Sequence, residues 1–501
     1  IPLLKYFLLY HYNNAAFYII IIIDMPHVKC YLLLTKCKFK LSICNYKRRI
    51  PLEKKLIHGP ITKSILLFSA PIILGNLLQQ LYNVVDTLIV GRFLGADALA
   101  AVGSSFTLMV FLTSVILGLC MGSGISFSIL YGAGNTQRLH ACFLLSFIMI
   151  GLITILINLP ALLLLDPIMT LLHIPVSIRP ETRSYLQVIL YGLFFTFLYN
   201  YFSSLLRALG NSLVPLLFLA LSALMNIALD LLFVISFGMG IAGAAWATII
   251  SQAFSALLLA VYTIRRLSLH RIRPKTLHFD RLLLKELLQY SLLTSVQQSV
   301  MNFGILMVQG LVNSFGVTVM AAFAAAVKID SFAYMPVQDF GNGFSTFIAQ
   351  NLGAGKTDRI QKGIRSAFLC SFLFCLFISA VVLLFAERLM LIFIRPEELE
   401  IIAIGAGYLR IEGACYFAIG FLFLFYGLYR GLGRPGISVV LTVISLGTRV
   451  LLSYMLAPIP AFGTSAIWWS IPIGWFLADA AGVLFFFFLR RKSIKLPYAN
   501  T

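Results

Sequence analysis

Gly122-Ser-Gly-Ile-Ser-Phe-Ser-Ile-Leu-Tyr-Gly-Ala-Gly-Asn135 returns, loosened, as Gly343-Phe-Ser-Thr-Phe-Ile-Ala-Gln-Asn-Leu-Gly-Ala-Gly-Lys356, about 221 residues further along. Working outward, Arg207-Ala-Leu-Gly matches Arg430-Gly-Leu-Gly, and Gly240…Trp246 matches Gly463…Trp469, about 223 residues on. Asp166-Pro and Arg395-Pro-Glu-Glu open matching connections. The chain is a duplication, and a long fixed period decides architecture before any local propensity does. The copies differ in one respect. In this register Asp86 stands opposite Met307 and Asp230 opposite Ser453, so these acids belong to the first half alone.

Apolar residues make up 60% of the 501-residue chain, charged residues 11%, and mean hydropathy is +0.95. An ordinary soluble domain carries about 25% charge. Apolar runs of about 20 residues or more, long enough to cross a hydrocarbon layer of about 30 Å, recur between Ser64 and Leu489. They predict twelve helices, near 64–90, 98–130, 140–165, 185–207, 212–237, 241–264, 282–313, 318–350, 365–386, 406–430, 436–457 and 464–489. The runs are too long, and lack the alternation, for a membrane β-barrel. The expected class is an all-α polytopic membrane protein built as two pseudo-symmetric six-helix bundles.

A net charge of +20 invites a nucleic-acid partner, but its distribution follows membrane topology instead. Lys and Arg crowd the connection after the sixth helix (Arg265, Arg266, Arg271, Arg273, Lys275), the loop after the eighth (Lys356, Arg359, Lys362, Arg365) and the C-terminus (Arg490, Arg491, Lys492, Lys495). The alternate loops hold few. By the positive-inside rule both termini are cytoplasmic, and no nucleic acid is implied. The division is an extension at 1–60, a first lobe at 61–267, a basic linker at 268–281, a second lobe at 282–491 and a tail at 492–501. Ala15–Ile23 is too short to span and lacks a signal-peptide cleavage pattern, so 1–60 reads as a mis-assigned start or an interfacial extension. The eight cysteines form no CxxC or zinc spacing; the even spacing of Cys30, Cys37 and Cys44 is taken as coincidence. No cofactor and no catalytic set is expected.

Ionisable groups inside hydrocarbon cost about 2.5–3.5 kcal/mol on insertion scales, so each should line a cavity and have partners. Asp86 shares its helix face with Tyr82 and, a turn further, Gln79; Asn83 is adjacent. Asp230 shares its face with Asn226. Such oxygens suit Na+ coordination, with Asp86, Asn226 and Asp230 as ligands, or the uptake and release of H+. The plain alternative is that Asp86 and Asn83 only mark the end of the first helix. Pro71 frees a carbonyl within that helix and allows a kink where its counterpart, Leu292, does not.

The ordered set Pro71…Gln79-x-x-Tyr82-x-x-x-Asp86-Thr…Gly91, Arg207-Ala-Leu-Gly-Asn, Asn226-x-x-x-Asp230 and Gly243-Ala-Ala-x-Ala-Thr248 resembles the multidrug and toxic compound extrusion (MATE) transporters. The likeness, from about Ile61 to Arg491, is greatest to their bacterial and archaeal DNA-damage-inducible-type branch. It implies a V-shaped pair of bundles that exports amphiphilic, often cationic small molecules in exchange for Na+ or H+. It places the coupling network on Asp86, Asn200, Asn226, Asp230 and Thr248, with Gln79 and Tyr82 lining the chamber. A related branch uses a glutamate in the seventh helix; here Ser295, Gln297 and Gln298 stand nearby and no acid does.

In the second lobe Lys328, Glu412 and Arg449 are expected to form a buried charge cluster that orders the bundle. Arg207 and Arg430, each ahead of a glycine, read as helix C-terminal caps. The preferred function is a cation-coupled exporter acting as a monomer in the bilayer. A lipid-linked precursor flippase of the same superfold is the alternative, and a channel the third.

Overall fold

The computed structural model describes residues 20–25, 28–33, 55–172, 174–267 and 280–491. The chain forms two units, 1–52 and 53–501. In the first, β1 (Ile20–Met25) pairs antiparallel with β2 (Val28–Leu33), Ile20 opposite Leu33 and Met25 opposite Val28. Ile20–Ile23, part of the run too short to span, thus lies in a strand, as its β-branched residues favour. The basic residues at 47–49 and 54, Cys37, Cys44, the linker through residue 279 and the tail at 492–501 lie outside the described residues.

The second unit is helical. After the single turn α1 (Lys55–His58) come α2 (Ile61–Leu94), α3 (Ala96–Gly132), α4 (Thr136–Leu163), α5 (Leu165–Leu171), α6 (Arg179–Ala208), α7 (Leu213–Asp230) and α8 (Gly240–Arg266). The second repeat follows with α9 (Arg281–Asn313), α10 (Val317–Gly353), α11 (Thr357–Met390), α12 (Leu399–Ala414), α13 (Tyr416–Gly431), α14 (Pro435–Leu456) and α15 (Gly463–Arg491). Among the described residues ten helices are long and apolar enough to span a membrane, or eleven when α12 and α13 count as one span. At 33 residues α9 has the length for the twelfth; Gln297, Gln298, Asn302 and Gln309 make it the more polar. Two local features depart from the sequence expectation. The tenth span bends by 55° between α12 and α13, and α7 passes directly into a π-helical turn, Leu231–Ser236. Conversely, α2 runs as one helix through Pro71, so the kink expected there does not break it.

The duplicated Gly-Ala-Gly segments end α3 and α10 in the same way. Gly134 (φ 72°) and Gly355 (φ 69°) take the left-handed conformation that a side chain disfavours, and the amides of Asn135 and Lys356 bond back to Leu130 and Asn351. Between the repeats the packing is reciprocal: α2 packs on α10, and its counterpart α9 packs on α3. Small residues make both crossings. A Cβ on Gly122 would collide with the Ser291 backbone, and at the equivalent place one on Gly343 would meet the Ser69 hydroxyl. Where α3 and α10 meet, Gly132 sits on the Gln350 carbonyl and Gly353 on that of Ile129.

Hydrogen bonds then tie the linker side shut. Gln350 Nε2 donates to the Ala208 carbonyl (2.7 Å), Asn351 Nδ2 to Leu56 (3.1 Å) and Arg359 Nη2 to Gly59 (2.9 Å). Arg138 on α4 pairs with Asp280, the N-cap of α9, at 2.9 Å. The hydrogen bond from Arg138 holds the Asp280 carboxyl below its ordinary value. Stability from this pair is therefore present above the unfolded carboxylate value of about 3.9 and is lost as pH falls through the lower folded value.

Gly122→Ala should lower thermal stability in detergent by about 1–3 kcal/mol, because backbone cannot rotate away. Gly343→Ala should cost less and recover when combined with Ser69→Ala. Asp280→Asn should flatten the loss of melting temperature on acidification below about pH 4; an unchanged acid limb would exclude the pair as its source.

Candidate functional site: a chamber between the repeats

On α2 the residues Asn76, Gln79, Asn83 and Asp86 recur at helical spacing, so one polar stripe runs along an otherwise apolar helix. It faces a chamber of about 490 Å³ between the two repeats, a size suited to a drug-like molecule. The first repeat adds walls from α3, α6 and α8; α9, α10 and α13 close it from the second.

Asp86 lies on this wall, and Asp230 stands behind it with no exposed surface. Their carboxyl groups are within hydrogen-bonding reach of each other. Asn226, one turn before Asp230, is also buried, and its Nδ2 donates to Thr248 Oγ1 at 3.3 Å. Asp86 Oδ1, both Asp230 oxygens and Asn226 Oδ1 are buried without a donor. Two facing carboxyls with no donor nearby need a proton or a cation between them. The oxygen set suits either a hard monovalent cation or H+. The π turn begins at the residue after Asp230, and such widened turns often occur at functional sites. Because α2 continues to Leu94, Asp86 lies inside the helix and does not mark its end.

The other predicted residues divide. Asn200 lines the chamber but gives its Nδ2 to the Thr196 carbonyl (2.9 Å), away from the acids. The Tyr82 hydroxyl reaches Gln79 and Gln252; Asn83 lines the chamber and bonds Gln80 at 3.4 Å. Two residues were missed. Tyr185 lies half-buried on the chamber wall beside both aspartates, and Gln252 accepts from Thr196 at 3.0 Å. Gln252 was accessible in principle, four residues after Thr248 on the same helix face.

In the second repeat the members of the expected cluster divide: Lys328 lies over the Phe393 ring (5.8 Å to the centroid), whereas Arg449, its Nε without a hydrogen bond, lies within electrostatic range of Glu412 and Asp330. Glu412 reaches an acid, Asp330, beside Tyr408; the residues are 1%, 5% and 2% exposed. The second repeat thus has a buried carboxyl pair of its own, at positions not equivalent to Asp86 and Asp230. Tyr408 is nevertheless the repeat counterpart of Tyr185, and Arg449 that of Asn226. For this pair to bond, one carboxyl must donate. Glu412→Gln supplies an amide donor and should leave thermal stability nearly unchanged, whereas Glu412→Leu should cost about 1–3 kcal/mol by removing one hydrogen-bonding neighbour of Asp330. Equal losses in the two variants would exclude the pairing.

Comparison with known proteins joins the two repeats to one family. The MatE family profile matches residues 71–232 and 291–455. The chain is 30% identical over 439 residues to the probable multidrug resistance protein YpnP of Bacillus subtilis, covering 87% of this chain and 97% of that one. It is 28% identical over 353 residues to YoeA, a probable multidrug resistance protein of the same organism (68% and 76% covered). The fold matches a MOP superfamily transporter from Pyrococcus furiosus with a TM-score of 0.82 at 23% identity, covering 88% and 98%. With both repeats matched over more than half of its length, the protein belongs to the MatE family, the multidrug and toxic compound extrusion transporters.

Proposed function

We propose that the protein exports amphiphilic small molecules by alternating access, in exchange for Na+ or H+, with Asp86 and Asp230 as the coupling centre. One observation carries this reading: the donorless oxygens of Asp86, Asp230 and Asn226 lie directly behind the wall of a drug-sized chamber. The names of the two Bacillus subtilis relatives, both probable multidrug resistance proteins, support drugs as cargo.

In the proposed cycle, the conformer sealed on the linker side receives the ion from the far side. The ion settles among Asp86, Asp230 and Asn226, with Thr248 orienting the amide and Asn200 holding the neighbouring chamber wall. Its charge cancels the repulsion between the carboxyls and changes the seating of α2 against α7, with Pro71 as the compliant point. Gln79, Tyr82 and Asn83 share α2 with Asp86, so cargo contacts weaken as the ion binds. Ion and cargo need only prefer opposite states. Lobes 61–267 and 282–491 then reorient about the glycine crossings. In this reading the protein works as a monomer in the cytoplasmic membrane, both termini cytoplasmic, as in the DNA-damage-inducible-type branch.

The test is ethidium efflux from proteoliposomes under an imposed Na+ gradient and, separately, a pH gradient. Wild type should respond to at least one gradient. Asp86→Asn and Asp230→Asn should remain folded and lose at least about tenfold of the driven rate, the order expected when one charge-specific interaction is removed. Full gradient-driven efflux in Asp230→Asn would overturn its coupling role.

A further inference from the structure

The chamber has a second charged end that the coupling mechanism does not use. Arg207 closes α6 and Arg430 closes α13 at repeat-equivalent positions, and both line the chamber toward the linker side. Their environments differ. Arg430 is 5% exposed; its Nη2 donates to Asn342 Oδ1 (2.8 Å) and its Nε to the Tyr426 carbonyl (3.2 Å). The Arg207 side chain makes no hydrogen bond among the described residues, and its Nε is buried without a hydrogen-bond partner. The cap reading from sequence therefore fits Arg430, which bonds a carbonyl of its own last turn, and not Arg207.

One acid adjoins these cations on the chamber wall. Asp339 is 3% exposed, accepts from Asn76 Nδ2 at 2.6 Å and lies within electrostatic range of Arg207. It shares a turn of α10 with Asn342, the partner of Arg430. Asp479, which neighbours Tyr426, does not line the chamber. Guanidinium stays charged in proteins, so one carboxylate leaves an excess of about one positive charge in a low-dielectric recess. A planar fork with free donors matches carboxylate or phosphate oxygens.

We infer that Arg207 and Arg430 form an anion-receiving floor of the transport chamber, and that the cargo class includes amphiphiles bearing a carboxylate or phosphate group. The inference rests on the exporter reading for the word cargo, but the site is defined by binding alone. Asp86 at the far end makes the chamber dipolar, so a zwitterionic cargo would lie with its anionic group toward Arg207. The same oxygen chemistry could come from a soluble organic anion or from a lipid headgroup.

The test is equilibrium binding, with no gradient, to the full chain in phosphatidylcholine nanodiscs, read by fluorescence anisotropy with carboxyfluorescein and with ethidium. Arg207→Gln should shift the ratio of the two affinities against carboxyfluorescein by about tenfold, and Arg207→Lys should restore part of it. Arg430→Gln should move the ratio the same way, and ethidium binding by each variant reports that it is folded. A ratio that moves by less than about twofold in Arg207→Gln would overturn the site. In discs containing phosphatidylglycerol, a loss of carboxyfluorescein affinity in wild type but not in Arg207→Gln assigns the site to a lipid headgroup; equal affinity in both disc types assigns it to a soluble anion. If the ratio shifts as expected while no gradient drives efflux, the anion site stands and the exporter reading fails.

Discussion

Backbone-to-backbone contact between glycine-bearing helices is the constraint on which this structure depends. In hydrocarbon there is little hydrophobic drive to bring helices together, so close approach and the dispersion it allows must supply the association. Gly122 on Ser291, and the reciprocal contacts of Gly132 and Gly353, let α3 cross α9 and α10 with no side chain between them. These crossings hold the two repeats together near the linker side. Elsewhere between the repeats a chamber remains, walled from the first repeat by α2, α3, α6 and α8.

The chamber is polarised by which helix ends reach it. One of its acids, Asp86, lies in the last third of α2 and is backed by Asp230 at the end of α7, where the π turn starts. Its cations come from the last turns of α6 and α13, where a positive side chain also complements the helix dipole. Opposite charges are thus kept at opposite ends, with Asn76 and Asp339 bonded across the repeats between them. A single ligand can meet both ends, and an ion at the acidic end alters the field felt at the basic one.

The twelve spans were legible because long apolar runs and two copies of one pattern leave few alternatives. The pairing of Asp86 with Asp230 was partly legible, since Tyr82 and Asn226 repeat at helical spacing before them. Lys328 shows where such reading stops. It is two residues from Asp330, and a helix turns about 200° over that step, so lysine meets Phe393 while aspartate meets Glu412. The bend after Glu412 was illegible too, because only a lone Gly413 stands there, and a single glycine inside a membrane helix does not by itself announce a break.

Sequence alone determined the duplication, the helical class and which residues are too polar to face lipid, because those follow from hydropathy, period and the cost of charge in hydrocarbon. Tertiary structure decided which of those polar groups meet. It set Asp230 behind Asp86, gave Glu412 an acid for a neighbour and left the Arg207 side chain without a hydrogen bond on the chamber wall. The reason is geometric: periodicity defines the face a residue occupies on its own helix, whereas its partner depends on how far neighbouring helices slide and rotate, and small-residue crossings set that between the repeats.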